Sequence, residues 1–106
     1  MTEHFNKLTP AELERLACLA EECAEVIHAV GKILRHGYED CNPFEESEVN
    51  NRRKLEEELG DLRYSIQSMS LAGDVKEQLI AHWTLARHAK AKRFMHHQLD
   101  PTGEAP

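Results

Sequence analysis

Between residues 16 and 34 the apolar side chains recur at steps of three and four. Leu16, Leu19, Ala20, Cys23, Val26, Ile27, Val30, Ile33 and Leu34 trace one side of an α-helix. The same spacing returns in Leu55, Leu59, Leu62, Ile66 and Met69. A period near 3.6 cannot be laid onto a strand, whose side chains alternate at two. No stretch of the chain alternates in that way, so the sequence predicts an all-α fold.

Local punctuation agrees with the periodicity. Thr9-Pro10-Ala11-Glu12 opens the first helix, with Thr9 as cap, Pro10 in the first helical position and Glu12 as the reciprocal capping partner. Arg35 and His36 suit its last turn, and Gly37 the position beyond it. A connection from Tyr38 to about Glu46 holds Asn42-Pro43 and is long for a helix–helix link in a small bundle. The second helix begins near Ser47 to Asn51 and ends around Leu71 to Gly73. Asp74 is then expected to cap a third helix, with Glu77 three residues on, running through Leu79, Trp83 and Ala86 to about Phe94. Three amphipathic helices need partners for their apolar stripes. The expected architecture is a helical bundle of about three main helices completed by homo-oligomerisation, as a homodimer or homotetramer. One domain is expected over residues 1–97, followed by a disordered tail at 98–106.

Composition narrows the function classes. A formal net charge of -6 makes duplex nucleic acid a poor partner, because that surface calls for a net basic face. A small anionic substrate stays open if a metal or a local basic cluster meets it. The N-terminus has no basic segment followed by an apolar one, so no secretory signal is read, and no apolar run approaches a membrane span. Cys18, Cys23 and Cys41 are odd in number and lack CxxC spacing, which suits reduced thiols in a cytoplasmic protein. The 7 histidines show no HxH or HExxH zinc pattern.

Two stretches carry chemistry. Glu21-Glu22-Cys23-Ala24-Glu25-Val26 and Glu57-Glu58-Leu59-Gly60-Asp61-Leu62 share one pattern of acids. In each, the last two acids stand one helical turn apart and point the same way. Glu22 and Glu58 border the apolar stripe, while Glu21 and Glu57 turn further toward solvent. Packing the two stripes together would bring Glu22, Glu25, Glu58 and Asp61 to one edge of the interface. Like charges so gathered are unfavourable by themselves; protonation, basic partners or a hard dication would relieve them. Mg²⁺, with Mn²⁺ as a substitute, suits an all-oxygen site with open positions. The plainer reading of any single such motif is a solvated helix face.

The pairing of Glu21-Glu22 and Glu25 with Glu58 and Asp61 resembles the MazG-like all-α NTP pyrophosphohydrolases. The stretches Leu19 to Arg35 and Leu55 to Leu62 look especially like the small, phage-type members, and the likeness covers about residues 10 to 97. A long segment between the motifs sets this chain apart. The resemblance implies helical bundles assembled into dimers or tetramers. It also implies Mg²⁺-dependent hydrolysis of a nucleoside triphosphate to monophosphate and pyrophosphate, by metal-activated water attacking the α-phosphate. Glu22, Glu25, Glu58 and Asp61 take the metal-ligand role in that resemblance, with Glu21 a further candidate to orient or deprotonate the water.

A triphosphate also needs basic partners. Lys90 interrupts the third helix's stripe of Leu79, Trp83, Ala86, Phe94 and His97; it could bind phosphate, or pack its stem and send its head to solvent. Arg93 lies close by. Lys32 follows Glu25 by two turns on the same side, and could reach phosphate or pair with acids. Arg52, Arg53 and Lys54 read as surface charges, and Trp83 as a core residue. Tyr38 and Phe44 could line a nucleoside pocket as a lid, and Asn42 could hydrogen-bond a base or sugar, although a turn role beside Pro43 is the default.

Two other functions compete. A carboxylate-bridged metal-binding bundle would use Glu-x-x-His on two helices, and only Glu25-Val26-Ile27-His28 supplies one. A non-catalytic helical interaction protein would leave its stability indifferent to dications.

Overall fold

The first two helices begin where their capping chemistry allows. In the computed structural model, which describes residues 5–41, 43–44 and 49–98, α1 spans Pro10–His36. Thr9 Oγ1 accepts the Glu12 N–H at 3.1 Å, and Glu12 Oε1 accepts the Thr9 N–H at 2.9 Å. This reciprocal pair satisfies two donors that a helix start would leave orphaned. The helix stops at Gly37, whose φ of 86° is open to glycine and strained for other residues. Its N–H still reaches the Ile33 carbonyl at 2.7 Å.

Helix α2 spans Asn51–Ala72 and is capped by Asn50, whose Oδ1 accepts the Arg53 N–H at 2.9 Å. It closes on a left-handed glycine. Gly73 N–H donates to Ser70 O, and Asp74 N–H donates back to Met69 O, the two bonds of a Schellman ending. Helix α3 spans Glu77–Phe94. No strand occurs among the described residues; Cys41 and Asn50 form only an isolated bridge. The all-α class expected from the periodicity is therefore what the chain forms.

Two units divide the chain, Met1–Asp74 and Val75–Pro106. Within the first, α1 and α2 pack as an antiparallel pair. Asn51, at the start of α2, donates its Nδ2–H to the Gly37 carbonyl at the end of α1, 3.0 Å away. At the opposite end, Arg15 near the start of α1 grips Asp74 just past α2. Its Nε lies 2.6 Å from Oδ2 and its Nη2 lies 3.0 Å from Oδ1. The helix pair is thus pinned at both ends by side chains that sequence periodicity does not reveal.

This clamp corrects one expectation. Asp74 does not cap α3: that helix starts at Glu77, its N-cap is Lys76, and no side chain caps it. A bidentate, charge-assisted pair with a guanidinium is stronger than a single bond to a backbone amide, so Arg15 claims the carboxylate.

Packing within the first unit is thin. Among the described residues only Ala29 and Met69 are buried apolar side chains, and Asn51 and Ser65 are the buried polar ones. Two helices can each bury only the line of residues facing the other. The rest of the α1 stripe stays open, with Ile27 71% and Leu34 82% exposed. In the second unit Trp83 is 63% exposed, contrary to the core role expected from its position on a stripe. A unit built on one helix offers that stripe no facing element. The indole and the neighbouring His82 ring meet edge to face, at 5.0 Å between centroids. Of the tail expected at 98–106, all but Gln98 lies outside the described residues.

Candidate functional site

The acids come together where α1 and α2 pass each other. Glu22 from α1 and Glu58 and Asp61 from α2 each offer a carboxylate oxygen, and these oxygens all lie within 4.8 Å of one another. The cause is local. Glu22 is followed by Val26, and Glu58 by Leu62, one turn along the half-buried line of each helix. Packing those lines draws the acids beside them inward. Glu22 and Glu58 are half-buried accordingly, while Asp61 is exposed, as are Glu21 and Glu57 on the outward side.

Electrostatics reflect that placement. Burial pushes the Glu22 carboxyl above its ordinary range, and the charges of Asp61, Glu21, Glu58 and Glu25 push the same way. Glu58 is also raised, first by burial, then by Glu25, Asp61 and Glu57, with His28 acting in the opposite sense. Both groups are thus short of compensating positive charge.

Glu25 stands outside the close trio. It faces along the helix pair into a cavity of about 310 Å³. Glu25, His28, Ala29 and Lys32 form its α1 wall; Asn51, Lys54, Glu57 and Glu58 form its α2 wall. Positions 25, 28, 29 and 32 are a single helix face, and so are 51, 54 and 58. Glu58 belongs to both the trio and the cavity, so the two features adjoin.

The other candidates are placed as follows. Lys32 lines the cavity, half-buried. Tyr38 is held by the start of α2: the Arg52 guanidinium lies over its ring at 4.4 Å, and the Arg52 N–H donates to its carbonyl at 2.9 Å. Arg52 also binds Glu39 through Nη2 at 2.7 Å. The Tyr38 ring thus has one face already covered by a cation. Asn42 lies outside the described residues, and Phe44 is exposed. Lys90 and Arg93 belong to the second unit and are exposed.

His28, Asn51 and Lys54 were not among the expected site residues. Spacing could have found them, because His28 follows Glu25 by three, and Lys54 and Asn51 precede Glu58 by four and seven. Lys54 in particular read as surface charge, because three basic residues in a row carry no hint of which one turns inward.

Three carboxylate oxygens gathered by two helices offer an all-oxygen donor set to a hard divalent cation. Oxygens bound to one octahedral Mg²⁺ at 2.0–2.1 Å stand about 2.9 Å apart when adjacent and about 4.2 Å apart when opposite, so the trio would draw together around such an ion. No described helix is long and apolar enough to cross a membrane. No curated protein and no solved structure matches the chain. The family model for the MazG nucleotide pyrophosphohydrolase domain matches residues 11–91, a span that contains both acidic motifs and both cavity walls. The chain therefore belongs to the MazG nucleotide pyrophosphohydrolase domain family.

Proposed function

We propose that the protein is a Mg²⁺-dependent pyrophosphohydrolase that converts a nucleoside or deoxynucleoside triphosphate and water to the monophosphate and pyrophosphate. The observation that carries this reading is the convergence of Glu22, Glu58 and Asp61 beside a polar cavity, in a chain of this family. A divalent cation held there would supply an activated water and offset the charge developing on phosphate oxygens.

The residues divide the work by position. Glu22, Glu58 and Asp61 hold the cation, and Glu25 completes the set from the cavity side. Mn²⁺ meets the same donors. Glu21 is one turn-angle further out and exposed, which suits orienting or deprotonating the attacking water more than ligation. Attack forms a bond from water oxygen to the α-phosphorus and breaks the bond from that phosphorus to the α–β bridging oxygen. Pyrophosphate leaves with the bond's electron pair, and the water's proton passes to the Glu21 carboxylate and from there to solvent.

The open apolar faces, with Ile27 and Leu34 largely exposed, support assembly as a homodimer or homotetramer. Free thiols at Cys18, Cys23 and Cys41 fit a cytoplasmic protein.

The test is turnover of a panel of NTPs and dNTPs with Mg²⁺, with products resolved. Release of pyrophosphate and a monophosphate is expected. Orthophosphate release, or no turnover of any member, refutes the reading. Glu58→Gln is expected to abolish turnover with helical content intact.

A further inference from the structure

Two polar side chains are buried among the described residues, Asn51 and Ser65, each 6% exposed. Asn51 donates to the Gly37 carbonyl and so has a structural use. The Ser65 hydroxyl makes no hydrogen bond among the described residues. A serine or threonine inside a helix can spend its hydroxyl on the carbonyl one turn back. Thr84 does so in α3, reaching the Ile80 carbonyl at 2.9 Å. Ser65 does not. No described polar side-chain atom is both fully enclosed and unpartnered, so the Ser65 hydroxyl keeps a small opening. Alanine at this position would form helix better and would leave no hydroxyl short of a partner.

The place of Ser65 on α2 shows where such a donor is of use. The inner line of that helix runs Glu58, Leu62, Ser65, Met69. Ser65 follows Asp61 by one turn and Glu58 by two. Helical side chains tilt toward the N-terminus of their own helix, so Ser65 leans over the turn that carries Asp61.

The facing helix brings Glu22 to the same level. The pinned ends give the register of the antiparallel pair, with Arg15 beside Asp74 and Gly37 beside Asn51. Counted inward from either contact at equal rise per residue, Glu22 is level with about Ile66 or Gln67. Ser65 is the buried position of α2 nearest that level. The Glu22 carboxylate nevertheless lies within 4.8 Å of the Glu58 and Asp61 oxygens, so its side chain runs along α2 past Ser65. Among the described residues Glu22 is in no ion pair and accepts no side-chain hydrogen bond. A carboxylate that binds a cation through one oxygen has a second oxygen to place. Donors outside the coordination shell fix that second oxygen, and with it the ligand's orientation.

We infer that Ser65 is a positioning residue of the carboxylate site: as the trio closes on a cation, the Ser65 hydroxyl donates to the Glu22 oxygen turned away from the ion. Ser65 itself touches neither cation nor substrate. This rests on the metal site of the pyrophosphohydrolase reading and adds an outer donor to it. The hydroxyl is unpartnered in the metal-free fold and gains its acceptor when the cation arrives.

Calorimetric titration of the full chain with Mg²⁺, beside melting curves in EDTA, tests the inference without turnover. Ser65→Ala and Ser65→Cys should each weaken Mg²⁺ binding about tenfold, the lower end of the loss that follows removal of an outer donor. Cysteine fills similar space but is a weak donor, so a loss shared by both variants belongs to the hydroxyl and not to packing. In EDTA, Ser65→Ala should melt no lower than the wild type. The Mg²⁺ concentration giving half-maximal triphosphate turnover should rise by the same factor, with the rate at saturating Mg²⁺ close to that of the wild type. Unchanged Mg²⁺ affinity in either variant overturns the inference. So does a melting temperature of Ser65→Ala below that of the wild type in EDTA, which would give the hydroxyl a partner in the metal-free fold. The two readings fail separately. A wild type that binds no Mg²⁺ removes the metal site, and this inference with it. Mg²⁺-dependent turnover in which the variants keep wild-type affinity removes only the role of Ser65. Mg²⁺ binding weakened in both variants, in a protein that hydrolyses no triphosphate, removes the enzyme assignment and leaves the positioning role.

Discussion

Replacing Asp61 by Asn should move stability in opposite directions with and without metal. Asp61 is the exposed member of the trio, so the change disturbs packing least. In metal-free protein it removes a negative charge whose oxygen lies within 4.8 Å of those of Glu22 and Glu58, and the melting temperature should rise slightly. With Mg²⁺ the order reverses. Binding to the folded state alone stabilises by RT ln(1 + [Mg²⁺]/Kd), about 2.7 kcal/mol at about a hundred times Kd. For a domain of this size that corresponds to a rise of about 10 to 20 °C. Loss of an outer-sphere partner commonly weakens a metal site about ten- to a hundredfold, and loss of a direct ligand should do no less. A tenfold weaker site at the same Mg²⁺ concentration gives only about 1.4 kcal/mol, or about 5 to 10 °C. Differential scanning calorimetry of both proteins, with EDTA and then with Mg²⁺, measures all four midpoints. Equal Mg²⁺-induced shifts in wild type and variant would refute Asp61 as a ligand. No shift in either would refute the metal site as a whole.

Other perturbations probe the frame that holds the trio. Thr9→Ala breaks the capping box and should cost about 1 kcal/mol, read by urea unfolding. Asn51→Ala removes the bond to the Gly37 carbonyl at a buried position and should cost about 1–3 kcal/mol, with faster amide exchange at the start of α2. The Arg15–Asp74 clamp sets an acid limit on stability. The Arg15 hydrogen bond holds the Asp74 carboxyl below its ordinary value, so its contribution is present above that value and lost as pH falls through the lowered one. Asp74→Asn should remove that limb from a plot of melting temperature against pH. In metal-free protein Glu22 and Glu58 act with the opposite sign: their raised carboxyls favour folding as pH drops toward their range. A Glu58→Gln variant in EDTA should accordingly be the more stable protein at neutral pH, in the same melting series.

Helix positions and the acid pairs were legible because both rest on local spacing. A three-residue interval on a helix means a shared face wherever the helix packs, so Glu58 and Asp61 could be read as one group from sequence. Which members of the two pairs would meet depended on the offset between the helices, and spacing along one chain segment carries no information about that. The offset is set by Arg15 gripping Asp74 and Asn51 gripping Gly37, contacts spanning 59 and 14 residues. The same offset places Glu25 in the cavity wall and outside the close trio. It also turns Lys54 inward while Arg52 and Arg53 are drawn to Glu39 and Glu57. Asp74 shows the limit from the other side. Its sequence context is that of a cap, and only the tertiary partner fifty-nine positions earlier explains why it is not one.

The thin packing of the helix pair and its acidic inner edge have one origin. A two-helix interface has a single line of closest approach, and here that line is shared between apolar residues and charges. Met69 and Ala29 are buried on it; Glu22 and Glu58 flank it, half-exposed and short of positive partners. Filling those flanks with leucine would add burial worth about 1.5–3 kcal/mol per side chain, and would remove the donors at the same stroke. The fold keeps the donors; on the proposed reading, a cation between the carboxylates and further apolar surface against Ile27 and Leu34 would complete its stability. It follows that Glu22→Leu should raise the melting temperature in EDTA while removing the response to Mg²⁺. A variant that gained no stability there would show that the carboxylates are not held against a packing deficit, and that the cluster's position beside the apolar line is incidental.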